Sequence, residues 1–470
     1  MLLRYFYDEK LAHASYMVGC QRTGEAIVID PGRNLEPYFA TAKAEGVRIV
    51  AATETHIHAD FVSGARELGK MHNAKLYLSD EGGEDWRYQY VNDVDHQLLH
   101  DGDHFTIGNL DFEVLHTPGH TPESISFLLT DRGGSADRPM GIFTGDFVFV
   151  GDVGRPDLLE KAAGVKGTSV SGARDMFHSL LRFKQLPDYL QVWPAHGAGS
   201  ACGKALGAVP SSTVGYEKMF NWALAYTDEE KFVEALLDGQ PEPPKYFAVM
   251  KRVNKEGISL LKDLAIPVEM KSIDSVRDLL AQGEAFVDTR ASKDFASSHV
   301  AGTINIPYNK SFTNWAGWLV DYDRPLYLLT EPDKMDALLK DLRSVGIDNV
   351  VGYCDVEQML GSGSFTLESY EEAQPSALAK KVENGEVHLV DVRNLTEWKE
   401  GHISQAQHIM LGTLPKRLNE IPTDKLIVVQ CRSGARSAIA ASILQANGIK
   451  NVINMGGGFT KWQQEGLPYA

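Results

Sequence analysis

Residues 47–64 read VRIVAATETHIHADFVSG. The segment begins with an apolar, β-branched run, which predicts a buried strand. Three metal-binding side chains, His56, His58 and Asp60, follow within five residues. Because they come directly after an apolar strand, they do not belong to a solvated charge run. Imidazole and carboxylate groups together suit zinc or non-haem iron, so this stretch predicts a metal site at the end of a strand.

Three further candidate ligands occur later in the chain, again just after strand-like runs. They are His120 in HTPGHTP, Asp146 in FTGD and His196 in WPAHG. A single histidine usually has a structural role, whereas an ordered set of such residues at strand ends favours a metal site. We therefore expect these side chains to meet at one rim of a sheet.

The first half of the chain alternates predicted strands with turns and helices. Composition and length predict strands at 25–30, 47–55, 112–117, 124–129, 140–146 and 190–197, and helices at 35–46 and 63–73. A proline cluster at 241–247 predicts a domain boundary, and a Gly/Ser stretch at 361–364 predicts another.

The ligand order resembles that of the metallo-β-lactamase superfamily, whose first motif is H-x-H-x-D-H and whose fold is an αββα sandwich. The sequence departs from that motif at one position, where Phe61 replaces the third histidine. The two-metal hydrolases of the superfamily use this His–Asp pair for their second metal. Since a phenyl ring cannot bind a metal, the departure favours a single metal ion.

Within that superfamily the chain is most similar to the persulfide dioxygenases. The shared motifs are T-H-x-H-A-D at 55–60, T-P-G-H-T at 117–121 and F-T-G-D at 143–146, followed by GRPD at 154–157. This resemblance implies a mononuclear Fe(II) site on His56, His120 and Asp146, the two-histidine, one-carboxylate set of non-haem iron oxygenases. It leaves His58, Asp60 and His196 as groups that hydrogen-bond to the ligands and the substrate, or as residues with packing and capping roles.

A second chemical motif lies near the C-terminus. Cys431 follows the apolar strand LIVVQ and precedes a helix, in the loop CRSGARS. Backbone N–H groups and arginines at such a position favour a nucleophilic thiolate. Together with DVR at 391–393 and GHI at 401–403, the segment resembles a rhodanese domain, which implies sulfur transfer through a Cys431 persulfide. The loop residues expected to bind the substrate are Arg432, Ser433, Gly434, Ala435 and Arg436.

The segment before it is an imperfect copy of this domain. FVDTRASKDFASSHVAGTINIP at 286–307 aligns with LVDVRNLTEWKEGHISQAQHIM at 389–410. Alternating strands and helices predict a parallel sheet for each copy. In the middle copy Thr330 occupies the cysteine position and is followed by Glu331 and Asp333. Since acidic groups repel a thiolate and an anion, we predict that this copy is inactive and serves as a spacer or an interface.

We therefore predict an α/β multidomain chain with three domains. A metallo-β-lactamase-fold persulfide dioxygenase domain spans 1–245, a degenerate rhodanese domain 265–360 and an active rhodanese domain 372–470. A length of 470 residues agrees with this number at about 150 residues per domain.

The other three cysteines carry weaker predictions. Cys202 lies six residues after His196 in a glycine-rich loop, where it is either a persulfide carrier beside the metal or a small buried side chain. Structural roles are favoured for Cys20 and Cys354. Widely spaced single cysteines and the absence of a signal-peptide pattern favour a reducing cytoplasm.

Composition narrows the set of partners. The net charge of −17 argues against nucleic-acid binding. The sequence contains no run of about 18 apolar residues, so we expect no membrane span. The expected partners are dioxygen, sulfite or thiosulfate, and a low-molecular-weight persulfide of the glutathione, coenzyme A, bacillithiol or cysteine type. The resemblance also implies a homo-oligomer.

The resemblance implies oxidation of such persulfides to sulfite, coupled to sulfane-sulfur transfer in sulfide detoxification. A glyoxalase II-like zinc thioesterase fused to a sulfurtransferase is the alternative, against which Phe61 argues. A non-catalytic persulfide sensor is the second alternative, against which the complete ligand set and the intact Cys431 loop argue.

Overall fold

A computed structural model describes residues 1–163, 167–204 and 206–470. The chain divides into two compact units, one formed by Met1–Asp263 with Arg343–Gly346 and the other by Leu264–Leu342 with Ile347–Ala470. The predicted division into three domains, with the boundaries given above, stays a prediction.

Two six-stranded sheets form the centre of the first unit. The first sheet has the order β1-β2-β3-β4-β5-β6 and consists of β1 (Leu2–Asp8), β2 (His13–Cys20), β3 (Glu25–Ile29), β4 (Arg48–Thr53), β5 (Lys75–Ser79) and β6 (His96–Leu99). The second has the order β12-β11-β10-β9-β8-β7 and consists of β7 (His104–Ile107), β8 (Leu110–His116), β9 (Ile125–Asp131), β10 (Gly141–Gly145), β11 (Gln191–Pro194) and β12 (Ser212–Thr213).

Alternating side chains of the two sheets form a shared core. On β8, Phe112 and Val114 face the other sheet and pack in one cluster with Tyr16 and Ile27. The opposite faces of the sheets are covered by helices in two further clusters. The α-helices of this unit are α1 (Glu36–Glu45), α2 (Ala65–His72), α3 (Leu158–Ala163), α4 (Thr168–Phe183), α5 (Val214–Phe220), α6 (Glu229–Leu237) and α7 (Tyr246–Glu256). The layers are therefore helix, sheet, sheet and helix, as predicted.

The second unit contains two parallel five-stranded sheets with the same strand order. The strands are β13 (Val268–Glu269), β14 (Ala285–Asp288), β15 (His299–Val300), β16 (Ile304–Asn305), β17 (Leu326–Thr330), β18 (Val350–Asp355), β19 (Leu367–Glu368), β20 (Glu371–Ala373), β21 (Val387–Asp391), β22 (Gln407–His408), β23 (Leu426–Gln430) and β24 (Val452–Met455). One sheet has the order β13-β18-β17-β14-β16 and the other β20-β24-β23-β21-β22, while β15 pairs with β19. The repeated order agrees with the internal repeat in the sequence.

Nine helices of the second unit lie within the described residues. They are α8 (Ile273–Ala281), α9 (Ser292–Ser297), α10 (Phe312–Leu319), α11 (Met335–Ser344), α12 (Val356–Gly361), α13 (Pro375–Glu383), α14 (Leu395–Lys399), α15 (Ala435–Ala446) and α16 (Gly458–Gln464). Among all described residues, no helix is both long and apolar enough to cross a membrane.

Candidate metal centre and thiol loop

Three predicted ligands meet at the carboxyl ends of the strands of the first unit. The ligand atoms of His56, His120 and Asp146 lie within 4.8 Å of one another, and all three residues are buried. Asp146 Oδ2 lies 3.9 Å from His56 Nε2 and 3.5 Å from His120 Nε2. His56 Nε2 and both carboxylate oxygens of Asp146 have no hydrogen-bond partner among the described residues. Because unpaired buried polar atoms are costly, this set is suited to a cation.

Hydrogen bonds to the backbone orient the imidazole rings. His120 Nδ1 donates to the carbonyl oxygen of Arg155 at 2.9 Å, and this leaves Nε2 with a lone pair for a metal. Arg155 is itself fixed, because its guanidinium donates to the Asp157 carboxylate at 2.7 and 2.8 Å. Burial disfavours a charged Asp157, but the hydrogen bonds from Arg155 and Lys161 lower its pKa. The GRPD segment thus supports the ligand His120.

Asp30 connects the two histidines of the first motif. Its carboxylate accepts hydrogen bonds from Thr55 N at 2.7 Å, Thr55 Oγ1 at 2.9 Å and His58 Nε2 at 2.9 Å. Thr55 Oγ1 in turn lies 3.1 Å from His56 Nδ1. Although burial disfavours the imidazolium form, the Asp30 carboxylate raises the pKa of His58 to about 9. His58 is therefore held by Asp30. Sequence reasoning missed Asp30, although an acid between a strand and Pro-Gly was a usable signal.

A second group forms beside the first one. The ligand atoms of Asp60, His196 and Cys202 lie within 4.8 Å of one another, and all three residues are buried. His196 Nε2 lies 3.2 Å from Asp60 Oδ2 and 3.4 Å from Asp146 Oδ1. Burial, together with the Asp146 and Asp60 carboxylates, raises the pKa of the Cys202 thiol well above its usual range. The structure thus places Cys202 next to the metal ligands, and its persulfide-carrier role stays a prediction.

Phe61, at the position of the third histidine of the first motif, packs against two imidazole rings. Its ring centroid lies 3.8 Å from that of His13 and 4.5 Å from that of His58. His13 is buried on β2, and burial lowers the pKa of its imidazole well below the usual range. No sequence motif indicates His13, because it lies far from the ligand motifs along the chain.

Two side chains from distant elements fix the backbone of the metal-binding loop. Asn254 on α7 donates to the carbonyl oxygens of His58 at 2.8 Å and Phe61 at 2.7 Å, and it accepts a hydrogen bond from Ser63 N at 2.9 Å. Glu123 accepts a hydrogen bond from Ile57 N at 2.8 Å. No motif distinguishes either residue, so sequence reasoning missed both.

The thiol loop of the second unit surrounds a buried sulfur. Cys431 follows β23 and is 1% exposed, and its Sγ accepts a hydrogen bond from Gly434 N at 3.2 Å. The Ser437 hydroxyl lies 3.5 Å from the same sulfur, and α15 begins at Ala435. A backbone N–H group and a helix N-terminus therefore face the sulfur.

The two arginines of this loop differ in their environment. Arg436 is half-buried and donates to both carboxylate oxygens of Glu397, at 2.6 and 2.7 Å. Arg432 is exposed, as are the neighbouring Ser433 and Ala435. Arg432 is therefore freer to reach an incoming anion, whereas Arg436 is held by a residue that sequence reasoning missed.

The middle copy has no thiol at the corresponding position. The Thr289 hydroxyl donates to Thr330 Oγ1 at 2.9 Å, and Glu331 pairs with Lys334 at 2.7 Å. Cys354 lies on β18, where burial raises the pKa of its thiol to about 12. That this copy is inactive stays a prediction.

Known proteins match both ends of the chain. Residues 9–196 match the profile described as the metallo-beta-lactamase superfamily, and residues 374–465 match the profile of the rhodanese-like domain. A crystal structure of a metallo-beta-lactamase from Staphylococcus aureus is 43% identical, with a TM-score of 0.68, and the alignment covers 75% of this chain and 98% of that one. The chain belongs to the metallo-beta-lactamase superfamily.

Two curated relatives align with this metallo-beta-lactamase domain. The mitochondrial persulfide dioxygenase ETHE1 of Bos taurus is 27% identical over 50% of this chain and 80% of its own length. A probable polyketide biosynthesis zinc-dependent hydrolase of Bacillus velezensis is 26% identical over 45% of this chain and 84% of its own length. The chain therefore combines a metal-binding domain similar to persulfide dioxygenases with a rhodanese-like domain.

Proposed function

We propose that the metallo-beta-lactamase domain oxidises low-molecular-weight persulfides to sulfite with dioxygen at a single Fe(II) ion. The observation that carries this proposal is the buried set of His56, His120 and Asp146, whose ligand atoms converge. Two imidazoles and one carboxylate form the ligand set typical of non-haem iron oxygenases, which leaves positions open for substrates.

The overall reaction balances without a further co-reactant. A persulfide RSSH, dioxygen and water give RSH, sulfite and two protons. Bound iron supplies the redox chemistry that lets dioxygen react with sulfur. Both oxygen atoms go to the terminal sulfur, and water then cleaves the S–S bond and supplies the third oxygen of sulfite. The chain's own residues orient this site: the carbonyl of Arg155 holds His120, and Asp30 holds Thr55 and His58.

We further propose that Cys431 transfers sulfane sulfur between persulfide, sulfite and thiosulfate. Its thiolate attacks the outer sulfur of thiosulfate, the S–S bond breaks, and sulfite leaves with the electron pair. The reverse step returns this sulfur to sulfite. The N–H of Gly434 stabilises the thiolate, and the exposed Arg432 is placed to attract the anion. Sulfite produced in the first domain is thus a substrate of the second, in keeping with sulfide detoxification.

The experiment combines metal analysis with oxygen uptake. Full-length protein purified without oxygen should contain one iron per chain and consume dioxygen only when a persulfide of glutathione, coenzyme A, bacillithiol or cysteine is added. His120→Ala should abolish uptake, whereas Cys431→Ser should retain uptake and lose sulfur transfer from thiosulfate to cyanide. Iron-loaded protein that consumes no dioxygen with any of these persulfides would refute the dioxygenase, and a Cys431→Ser chain that still transfers sulfur would refute the transferase.

A zinc-dependent thioesterase is the second candidate function. It is supported by the similarity to a probable zinc-dependent hydrolase and by the group of Asp60, His196 and Cys202 beside the first set. Hydrolysis of S-acyl thioesters by the zinc-loaded chain, together with absent oxygen uptake by the iron-loaded chain, would favour this candidate.

A further inference from the structure

We propose that an apolar cavity between α4 and the second sheet holds dioxygen on its way to the metal, an inference that rests on the proposed dioxygenase activity. The cavity has a volume of about 90 Å³, and five of its eight lining side chains are apolar. These five are Leu115, Ile142, Phe147, Phe183 and Leu186. Because apolar cavities stay free of water and take up small apolar molecules, dioxygen is a suitable occupant.

The two buried polar side chains of the lining already have hydrogen-bond partners. The Ser179 hydroxyl donates to the carbonyl oxygen of Pro118 at 2.7 Å, and Thr117 Oγ1 lies 2.9 Å from Ser126 Oγ. A buried water needs about two to four polar partners. Water in this cavity would have to compete with the existing bonds, which favours an uncharged, apolar occupant.

The exposure of the lining decreases from one end of the cavity to the other. Arg182 is exposed and paired with a carboxylate at the surface, and Leu115 and Leu186 are half-buried. Ile142 and Phe147 are 0% and 1% exposed. The cavity therefore has an outer end at the surface, near Arg182 and Leu186, and an inner end at Ile142 and Phe147.

The inner end is formed by the two loops that carry metal ligands. Phe147 directly follows Asp146, and Thr117 lies three residues before His120. The ring of Phe147 packs edge to face against that of Phe183, with the centroids 5.9 Å apart. Dioxygen at this end of the cavity therefore contacts the loops that hold two of the three proposed iron ligands.

The size of the cavity separates dioxygen from the second substrate. Pockets for drug-sized ligands measure about 300 Å³ or more, whereas this cavity measures about 90 Å³. Persulfides of glutathione or coenzyme A also carry charged groups, which apolar walls cannot pair. The persulfide therefore reaches the metal from elsewhere. Filling the cavity should raise KM for dioxygen and leave KM for the persulfide unchanged.

Methyl NMR spectroscopy of the full-length chain, loaded with zinc instead of iron, tests binding without turnover. Dioxygen is paramagnetic, so it accelerates the relaxation of nearby methyl groups. Under dioxygen pressure, we expect faster relaxation at the Ile142 methyl groups than at those of Leu78. Leu78 is a matched control, because it is equally buried and packs in a different core cluster of the same unit. Xenon, which competes for apolar cavities, should reduce the effect at Ile142.

Leu186→Phe fills the cavity from its half-buried outer end, where the added volume enters free space rather than a packed core. This variant should lose the dioxygen effect at Ile142. In its iron-loaded form, KM for dioxygen should rise several-fold, while the iron content and KM for the persulfide stay unchanged. Leu181→Phe is the matched control, because Leu181 is 41% exposed on α4 and does not line the cavity. It should behave as the unchanged chain does.

Two results would overturn the proposal. One is equal relaxation at Ile142 and Leu78 in the unchanged chain. The other is a Leu186→Phe chain in which Ile142 no longer senses dioxygen although KM for dioxygen is unchanged. Should Leu186→Phe not fold, as judged by circular dichroism, Leu115→Phe replaces it, with the same expectations. An iron-loaded chain without oxygen uptake refutes the dioxygenase, whereas equal relaxation in an active chain refutes only the role of the cavity.

Discussion

At the residue scale, buried polar side chains determine the properties of the metal centre. The ligands are oriented by carbonyl groups and by Asp30, and the loop that carries them is fixed by Glu123 and Asn254. Such supporting residues around metal ligands affect metal affinity although they do not touch the metal.

Glu123 provides a prediction about pH. Burial raises the pKa of its carboxyl group from its ordinary value of 4.5 to about 7. The folded state therefore holds this proton more tightly than the unfolded state, so the contribution is favourable below pH 4.5 and is lost as the pH rises toward 7. As the pH rises from 4.5 to 7, the stability of Glu123→Gln relative to the unchanged chain should increase by about 3 kcal/mol. Urea denaturation at each pH measures this difference.

The control for this variant is Glu113→Gln, at a half-buried position on β8. This substitution should leave the pH profile of unfolding unchanged. Parallel profiles for Glu123→Gln and the unchanged chain would show that Glu123 titrates alike in the folded and unfolded states, contrary to the prediction.

At the element scale, the site is built from loops that follow strands and from one helix distant in sequence. The loops after β4, β8 and β10 carry His56, His120 and Asp146. They approach one another so closely that a side chain at Gly145, whose φ is +52°, would overlap the hydroxyl of Thr55. The helix α7 closes this arrangement through Asn254.

Asn254→Ala tests the contribution of α7. The substitution leaves the carbonyl oxygens of His58 and Phe61 and the N–H of Ser63 without their partner. At roughly 1 kcal/mol or more for each lost hydrogen bond, we expect a destabilisation of about 3 kcal/mol. Iron content should also fall, because the loop that carries His56 loses its support. Thermal unfolding and metal analysis measure the two effects.

Arg252→Ala on the same helix serves as the control, since Arg252 is exposed and its ion pair is with Glu256. Arg252→Ala should change neither the thermal stability nor the iron content by much. Equal losses in both variants would mean that α7 acts only through its packing, and the positioning role of Asn254 would then be wrong.

At the scale of the whole molecule, metal chemistry and thiol chemistry lie in different compact units. The metal ligands belong to the unit that contains Met1–Asp263, and Cys431 belongs to the other. Within the second unit the segment before the rhodanese-like domain contacts that domain, because Asn305 N donates to Ser442 Oγ at 2.9 Å and Phe295 packs in the core around Cys431. These contacts stabilise the rhodanese-like domain.

Metal removal should therefore affect only one unit. A ligand that binds the folded state stabilises it by mass action, so a chelator should increase hydrogen exchange in residues 1–263 and leave 372–470 unchanged. Sulfur transfer at Cys431 should persist in the chelated protein. Hydrogen-exchange mass spectrometry measures the first effect and a thiosulfate assay the second. Increased exchange across both units, or lost sulfur transfer, would contradict this independence.

The fold was predictable because its signals are local, and the convergence of His56, His120 and Asp146 was predictable from the same motifs. The predicted strand at 47–55 corresponds to β4 at Arg48–Thr53, and the predicted helix at 35–46 to α1 at Glu36–Glu45, where Gly46 takes a left-handed conformation. The apolar run at 16–20 is also strand-like and forms the end of β2, although the burial of every residue removes the alternation of a half-exposed strand.

The sequence by itself determined the αββα architecture, the repeated parallel-sheet domain, the ligand set and the Cys431 loop, since each depends on motifs and periodicity within short stretches. Only the tertiary structure decided how Asp30, His13, Glu123 and Asn254 contribute, and that Cys202 stands beside Asp60 and His196. The first motif argued against a second metal, because Phe61 replaces one of its imidazoles and this replacement is visible in the sequence alone. Cys202 comes from a loop about 140 residues after Phe61 in sequence, and only folding brings it beside Asp60 and His196.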